Sequence, residues 1–304
     1  MVKRPSDDLS VCGSCHGEIA KNYKNSLHYT TAGLKHGVNG RMATAEGKIF
    51  NEKVFPKACN SCHASCGDCH VKVPVIGGIN IGLIKGHQFV KRDEAKTCAL
   101  CHGGRVYPEY TGEYGGTPDV HYQKGMFCAD CHVKSETHGD GTVQTGRKDI
   151  KDRPSCLKCH PAGNEKSDKS KLAHSAHNGK VSCVACHSSG DYRNCTDCHE
   201  GKGAKATPGF ILGRNPRDKK TVTTLRIIPT VRDSFAESGV KMEKFDALPN
   251  YWDTSPHNIK KRTDRTRSCD TCHVAKAGFL TRETLIKGGS KANEGLISEP
   301  KPLK

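Results

Sequence analysis

The chain has 304 residues, of which 34% are hydrophobic and only 6% aromatic, and its mean hydropathy is −0.65. A chain of this composition buries too little apolar side-chain surface to offset the entropy cost of folding, so an ordinary side-chain core is excluded. The formal net charge is +16, but no nucleic-acid-reading motif or aromatic-interleaved basic stripe accompanies it, and we expect no nucleic-acid partner.

All 18 cysteines lie in one pattern, C-x-x-C-H, which occurs nine times and leaves no thiol for a disulfide or a catalytic nucleophile. The cysteine pairs are, in chain order, Cys12 and Cys15, Cys59 and Cys62, Cys66 and Cys69, Cys98 and Cys101, Cys128 and Cys131, Cys156 and Cys159, Cys183 and Cys186, Cys195 and Cys198, and Cys269 and Cys272. The histidines that follow them are His16, His63, His70, His102, His132, His160, His187, His199 and His273. This pattern attaches c-type haem, because the two sulfurs can form thioethers to the porphyrin while the histidine binds the iron.

Zinc is the alternative for paired cysteines. A four-cysteine zinc ribbon separates its two pairs by about 15 to 20 residues, whereas successive motifs here start from 7 to 74 residues apart. Zinc also gives no reason for a histidine after every second cysteine. The sequence therefore predicts nine covalently bound haem c groups.

Two pairs of motifs are very close in the chain. The motifs that begin at Cys59 and Cys66 start 7 residues apart, and those that begin at Cys183 and Cys195 start 12 residues apart. Haems attached this close together must be near neighbours, which is typical of metal centres that exchange electrons.

Nine haems in one chain of this length would themselves form its interior, with thin peptide around them. We therefore predict a haem-cored multihaem cytochrome c fold, mostly irregular coil with short α-helices and little β, in a single domain over residues 1–304. The only long interval without a haem motif is 200–268. Residues 221–228 are β-branched with partial alternation and predict a strand, so this interval is a candidate small β-element or interface segment.

The haems also change the charge. Each haem adds two negative propionates and a ferric porphyrin core of charge +1. Nine oxidised haems therefore bring the net charge from +16 to about +7, and full reduction brings it to about −2. Much of the lysine and arginine therefore serves to neutralise propionates, and only a modest field remains to steer partners.

Residues 1–8 have a basic start but no apolar segment of a signal peptide. Because covalent haem attachment is completed outside the cytoplasmic membrane, we expect a mature form of an exported protein, extracellular or at the cell surface, with the periplasm as the alternative. The longest apolar stretch, 73–84, is too short and too rich in glycine to cross a bilayer, so no transmembrane segment is predicted.

Eight histidines lie outside the motifs and are candidate distal ligands of the haem irons. They are His28, His36, His87, His121, His138, His174, His177 and His257. His87 follows a glycine-rich segment, 71–96, that predicts a loop, while His174 and His177 share one face of a helical turn and could serve two neighbouring haems. The sequence does not assign each histidine to a haem.

Nine irons need nine distal ligands, so one ligand is missing. The ninth position is vacant or holds water, or it is filled by a methionine (Met42, Met126 or Met242), a lysine or a terminal amine. Exchange of histidines between identical subunits cannot repair the deficit, because each subunit gives as many ligands as it receives.

Several stretches resemble exported multihaem cytochromes c of metal- and sulfur-respiring bacteria and archaea. They are 55–63, 69–71, 86–87, 98–106, 119–122, 128–132, 137–139 and 256–259. The resemblance implies haems with two histidine ligands in a continuous chain, with His87, His121, His138 and His257 on the distal side. Some cytochromes of this kind polymerise into extracellular filaments that conduct electrons. Others, similar to octahaem tetrathionate reductase and hydroxylamine oxidoreductase, keep one haem open for catalysis.

Three functions follow as hypotheses. The one we favour is an electron conduit, because there is no acid/base or nucleophile constellation beyond the haem ligands. It would be a homo-polymer that passes electrons to redox partner proteins or extracellular acceptors. The alternatives are a reductase or oxidase of a small sulfur or nitrogen compound at one five-coordinate haem, and a monomeric periplasmic electron shuttle.

Overall fold

A computed structural model describes residues 8–58, 64–71, 75–76, 79–80, 94–113, 116–189, 210–228 and 230–303. The α-helices in these ranges are all short, from 4 to 10 residues. They are α1 Leu9–Gly13, α2 Gly17–Tyr23, α3 Leu27–Thr30, α4 Ala32–Asn39, α5 Thr44–Ile49, α6 Phe55–Ala58, α7 Cys66–His70, α8 Glu94–His102, α9 Val106–Thr111, α10 Cys128–Cys131, α11 Lys134–His138, α12 Asp168–His177, α13 Cys183–His187, α14 Asp264–Arg267 and α15 Asp270–His273. Single helical turns of 3₁₀ or π type and irregular chain join them, which confirms the predicted fold class.

The described strands form two small antiparallel sheets. Strands β1 (Val75–Ile76) and β2 (Ile79–Asn80) pair with each other. Strands β3 (Ile211–Arg214), β4 (Val222–Ile227) and β5 (Tyr251–Asp253) form a second sheet with β4 in the centre. Strand β4 corresponds to the strand predicted over 221–228, and all three strands of this sheet lie in the described part of the interval without a haem motif.

The described chain divides into two compact units. The first unit comprises Met1–His36, Phe55–Cys101 and Phe127–Pro154. Buried hydrogen bonds join its segments: the Tyr23 hydroxyl donates to the Ala64 carbonyl at 2.7 Å, and the Leu27 N–H donates to the side chain of Gln144 at 3.1 Å. Tyr23 ends α2, which begins directly after the motif histidine His16, and Leu27 begins α3, which carries the candidate ligand His28, so both hydrogen bonds help to position candidate haem ligands.

The second unit comprises Gly37–Val54, His102–Met126 and Ser155–Lys304. A buried cluster on its three-stranded sheet contains Leu225, Tyr251, Leu280 and Leu296. Gly213 on β3 belongs to this contact, because a Cβ there would lie 2.6 Å from the Leu225 side chain and 2.9 Å from the Leu296 carbonyl oxygen. A small apolar core thus exists where the haem motifs are absent.

Outside this core, Asp246 ties two helical turns of the second unit together. Its carboxylate accepts hydrogen bonds from the Lys291 backbone N–H and the Arg232 guanidinium, each at 2.9 Å. These two donors lower the pKa of Asp246.

Among the residues that the structure describes, no helix combines the length and the apolar character needed to cross a bilayer.

Candidate haem-binding sites

Each of the seven described motifs forms one turn of helix. In four of them the histidine N–H donates to the carbonyl of the first cysteine at 2.8–3.0 Å: His16, His132, His160 and His273. The other three lie in helices that end at the motif histidine: His70, His102 and His187. One helical turn brings the two cysteines and the histidine to one side, as covalent attachment of a single porphyrin requires. The motifs at 59–63 and 195–199, together with His87, lie outside the described residues.

Aspartates inside the motifs help to start these turns. Asp68 lies two residues after the first cysteine of its motif and accepts from the Ser65 N–H at 2.7 Å. Asp130 occupies the same place in its motif and accepts from the Phe127 N–H at 2.8 Å. A carboxylate in the first turn that reaches back to a free backbone N–H stabilises a helix start, so the residues between the cysteines also fix the local geometry.

The structure places four candidate distal histidines opposite four motif histidines. The ring centroids are 5.9 Å apart for His138 and His70, 6.1 Å for His121 and His160, 6.2 Å for His174 and His187, and 5.9 Å for His177 and His273. A bond from a metal to an imidazole nitrogen is about 2 Å long, so two imidazoles on opposite sides of one metal have centroids about 6 Å apart. All four separations fit an iron between the rings.

The second ring nitrogen of most of these histidines already has a partner. Backbone carbonyls accept from the Nδ1 of His138, His177, His187 and His273. Carboxylates face the Nδ1 of His121, His132 and His174. A metal-binding histidine usually donates its other N–H in this way, which fixes the tautomer and leaves Nε2 for the metal. The hydrogen-bond pattern therefore agrees with the spacing of the rings.

The pKa shifts of two candidate distal histidines in the first unit, His28 and His138, point in the same direction. Burial lowers the pKa of His28, and the nearby His132 lowers it further. Burial also lowers the pKa of His138, so both imidazoles are held neutral, which is the form that binds a metal. The hydrogen bond that His132 donates to the Glu136 carboxylate raises the pKa of His132. The closeness of His28 and His132 makes them a fifth candidate ligand pair.

Contacts between cysteines show which motifs are neighbours. In the first unit Cys66 touches Cys12, and Cys69 lies near Cys101; in the second, Cys183 touches Cys156, and Cys186 lies near Cys272. Burial raises the pKa of the Cys66 thiol to about 11, whereas the hydrogen bond from Cys156 lowers that of Cys183 to about 6. Once bonded to haem these sulfurs are thioethers and do not titrate, so their positions are what matters. In each unit these contacts therefore link cysteines of three motifs into a row.

Large apolar side chains are exposed next to the motifs. Leu100 and Leu157 lie inside motifs and are 77% and 62% exposed. Val11, Phe127, Val133 and Val274, which directly precede or follow a motif, are also exposed. An attached porphyrin would cover such residues, and this removes the cost of leaving them in water. The distribution of exposed apolar surface therefore fits haem at these positions.

Residues 256–260 hold several candidate ligands of the second unit. The Lys260 N–H donates to the His187 carbonyl at 2.7 Å, and the Lys260 carbonyl faces Nδ1 of His187 at 3.1 Å. The Ile259 N–H donates to the Asp119 carboxylate at 2.6 Å, which also accepts from the N–H and Nδ1 of His121. One short stretch of backbone thus fixes His121 and His187 relative to each other.

The same stretch carries the candidate ligand His257. Its N–H donates to the Glu109 carboxylate at 3.0 Å, and Glu109 is paired with Arg105 at 3.2 Å. Burial raises the pKa of Glu109. Of the methionines weighed as a ninth ligand, Met42 and Met242 are buried.

Sequence reasoning missed the carboxylates. Glu136 lies four residues after His132, but the chain is extended at His132 and Val133 between α10 and α11, so helical spacing does not predict this contact. Asp119 lies two residues before His121, within a stretch quoted for its resemblance. Glu165 lies before helix α12, nine residues from His174, and a separation of that length does not predict a contact between the two side chains. Nothing local identified 256–260 as a contact point for other ligands. Within the described ranges, no group of three or more histidine, cysteine, aspartate or glutamate side chains is arranged to hold a metal ion directly.

A family model described as cytochrome c3 matches residues 120–200. The matched stretch contains four of the nine motifs and four of the candidate distal histidines: His121, His138, His174 and His177. The match supports a multihaem c-type cytochrome. The matched family implies covalently bound haem c and a role in electron transport. Searches of curated proteins and of solved structures gave no match to the chain.

Proposed function

We propose that this cytochrome carries nine covalently attached haems and passes electrons along them. In each motif the two cysteines hold the porphyrin and the histidine is the proximal iron ligand. The distal ligands are His28, His36, His87, His121, His138, His174, His177 and His257. The haem supplies the one-electron chemistry, and the chain supplies the axial ligands, the spacing and an insulating cover.

The observation that carries this proposal is the set of four histidine pairs with ring centroids 5.9–6.2 Å apart. In each pair one member belongs to a C-x-x-C-H motif and the other does not, although nothing in the chain connects them locally. Two histidine ligands fill both axial positions of an iron, which leaves no site for a substrate and favours electron transfer over catalysis.

The contacts between cysteines of different motifs support a continuous path within each unit. Thioether bonds lie at the edge of a porphyrin, so neighbouring motif sulfurs bring haem edges near each other. Electrons tunnel efficiently only between near neighbours, and the order of contacts in the second unit gives a run from the motif at 156–160 through 183–187 to 269–273.

The test is the intact mass and the spectrum of the purified cytochrome. The mass should exceed that of the polypeptide by nine haems. Electron paramagnetic resonance of the oxidised protein should show low-spin ferric iron with two histidine ligands. A mass increment of fewer haems would refute the number, and a predominantly high-spin signal would refute the ligand assignment.

We further propose that the cytochrome is exported and assembles as an extracellular filament that delivers electrons to redox partners or external acceptors. The resemblance to filament-forming multihaem cytochromes motivates this. Negative-stain electron microscopy of secreted protein at high concentration should show filaments of one subunit type. A monodisperse monomer under the same conditions would favour a periplasmic shuttle instead.

One specific observation keeps an enzymatic role as the second candidate. The chain has eight non-motif histidines for nine irons, and an iron with an open position could reduce or oxidise a small sulfur or nitrogen compound. Carbon monoxide binds reduced iron only where a position is open. A Soret shift from one haem per chain would support this role, and no shift would remove it.

A further inference from the structure

The candidate distal histidines of the second unit differ in what accepts their Nδ1 proton. His121 and His174 face carboxylates, whereas His177 faces a backbone carbonyl. These three histidines lie opposite the motif histidines at 156–160, 183–187 and 269–273, the three motifs that cysteine contacts link in this unit. The run of haems is therefore not electrically uniform.

Asp119 is the more buried of the two carboxylates, with 2% of its surface exposed. One carboxylate oxygen accepts from the His121 N–H at 2.7 Å and from its Nδ1 at 2.8 Å. The other oxygen accepts from the Ile259 N–H at 2.6 Å. With three donors around it, the carboxylate cannot rotate away from the imidazole.

Glu165 makes the corresponding contact with His174, at 3.0 Å from Nδ1. Its side chain is 15% exposed, whereas that of His174 is 56% exposed. Glu165 lies outside helix α12, so its contact with His174 is tertiary and does not arise from helical spacing.

At the last motif of the run, both the motif histidine and the histidine opposite it face backbone carbonyls. Nδ1 of His177 faces the Ala173 carbonyl at 2.7 Å, and Nδ1 of His273 faces the Lys301 carbonyl at 2.5 Å. Both acceptors are neutral. A neutral carbonyl polarises an imidazole less than a carboxylate does.

A carboxylate that accepts from Nδ1 makes the imidazole a stronger electron donor through Nε2, and this stabilises ferric over ferrous iron. We propose that Asp119 and Glu165 are positioning residues that hold the haems attached at 156–160 and 183–187 at lower reduction potentials than the haem attached at 269–273. Among these three haems an added electron then resides first on the haem at 269–273. The inference rests on the proposed haem ligation.

Glu165→Gln is the primary test, because its side chain is partly exposed and the amide keeps the shape. A variant in a ligand's hydrogen-bond partner typically changes metal affinity by about tenfold or more. If that tenfold change falls on ferric iron alone, the reduction potential of one haem rises by about 59 mV, the one-electron equivalent of a factor of ten. Redox titration of the holo-protein, followed by visible absorption and by electron paramagnetic resonance, measures the shift. Asp119→Asn should raise the potential of a different haem.

Asp168→Asn is the matched control. It also removes one negative charge, and it lies on the same helix as His174, but its side chain is fully exposed. Equal shifts in Glu165→Gln and Asp168→Asn would overturn the inference, and so would no shift in Glu165→Gln. If Asp119→Asn loses haem, Glu165→Gln still decides. Failure of the wild-type mass or ligation test refutes the proposed function itself, whereas full haem loading with unmoved potentials refutes only this inference.

Discussion

Replacing His177 by alanine tests the ligand assignment at a single haem. His177 lies at the end of α12, with its ring centroid 5.9 Å from that of His273. The alanine side chain ends at Cβ, so it cannot reach a metal bound to His273. If His177 is the distal ligand there, His177→Ala opens one iron and leaves the attachment motif intact.

The expected change is one haem in nine, or about 11% of the haem absorbance. After reduction, carbon monoxide should shift that fraction of the Soret band beyond whatever the wild type shows, and oxidised protein should gain one high-spin iron per chain. The carbon monoxide shift of the wild type is the baseline, because eight non-motif histidines for nine irons leave one iron that could bind carbon monoxide already. Lys171→Ala, an exposed change on the same helix, should behave as the wild type.

The mass of His177→Ala should still include nine haems, since both cysteines of the last motif remain. With the mass unchanged, the absence of any added carbon monoxide binding would show that His177 is not the ligand. His174→Ala should open a different iron, and the double variant should then open two.

Three further changes test other parts of the structure. Gly213→Ala should lower the free energy of unfolding by about 1–3 kcal/mol in chemical denaturation, because the added methyl group meets the sheet core closely, whereas Gly295→Ala, with nothing within 4 Å, should not. Asp246→Asn should remove a stability contribution that is complete above the ordinary carboxyl pKa and lost as pH falls through the lowered folded-state value, as thermal melts across acidic pH would show. Glu136→Gln should raise the reduction potential of the haem bound by His132, measured by redox titration.

Each of these has a result that would contradict it. Equal losses of unfolding free energy in the two glycine variants would show that the close contact of Gly213 with the sheet core does not cause the destabilisation. An unchanged slope of stability against pH in Asp246→Asn would show that its two donors do not favour the ionised form. A lower reduction potential in Glu136→Gln would contradict the expectation that a carboxylate hydrogen-bonded to a histidine ligand stabilises ferric iron.

The sequence predicts the attachment sites because they are local. Two cysteines and a histidine within five residues need only one helical turn to act together, and the structure forms that turn at every described motif. His174 and His177 are also readable locally, since a spacing of three residues on a helix puts both on one face, and each then lies opposite a different motif histidine.

The sequence could not predict which candidate distal histidine faces which motif histidine, because this depends on contacts between segments that are distant in the chain. His138 meets His70 and His121 meets His160 through the packing of their units, and no periodicity encodes this. The same holds for Glu165 and for the partners of strand β4. A strand could be predicted from its own β-branched residues, whereas β3 and β5 are too short and too ordinary in composition to be recognised.

The three-stranded sheet explains why a chain this dense in haem motifs keeps a long interval without one. Strand β5 ends at Asp253, and the next residue, Thr254, is bound to Thr224 of β4 through its N–H at 3.0 Å and its carbonyl at 2.8 Å. The chain then runs directly into residues 256–260. The sheet, with its own apolar core, is therefore a rigid base for a stretch of backbone that has little packing of its own.

From that base, backbone groups of Ile259 and Lys260 reach Asp119 and His187, and Asp119 in turn holds His121. Backbone hydrogen bonds allow far less movement than contacts between long side chains, because fewer rotatable bonds separate the groups. Since tunnelling rates fall steeply with distance, a frame that fixes ligands of neighbouring haems through the main chain keeps those distances constant. Under the proposed ligation, the interval without haem motifs would thus set the geometry between the haems attached at 156–160 and 183–187.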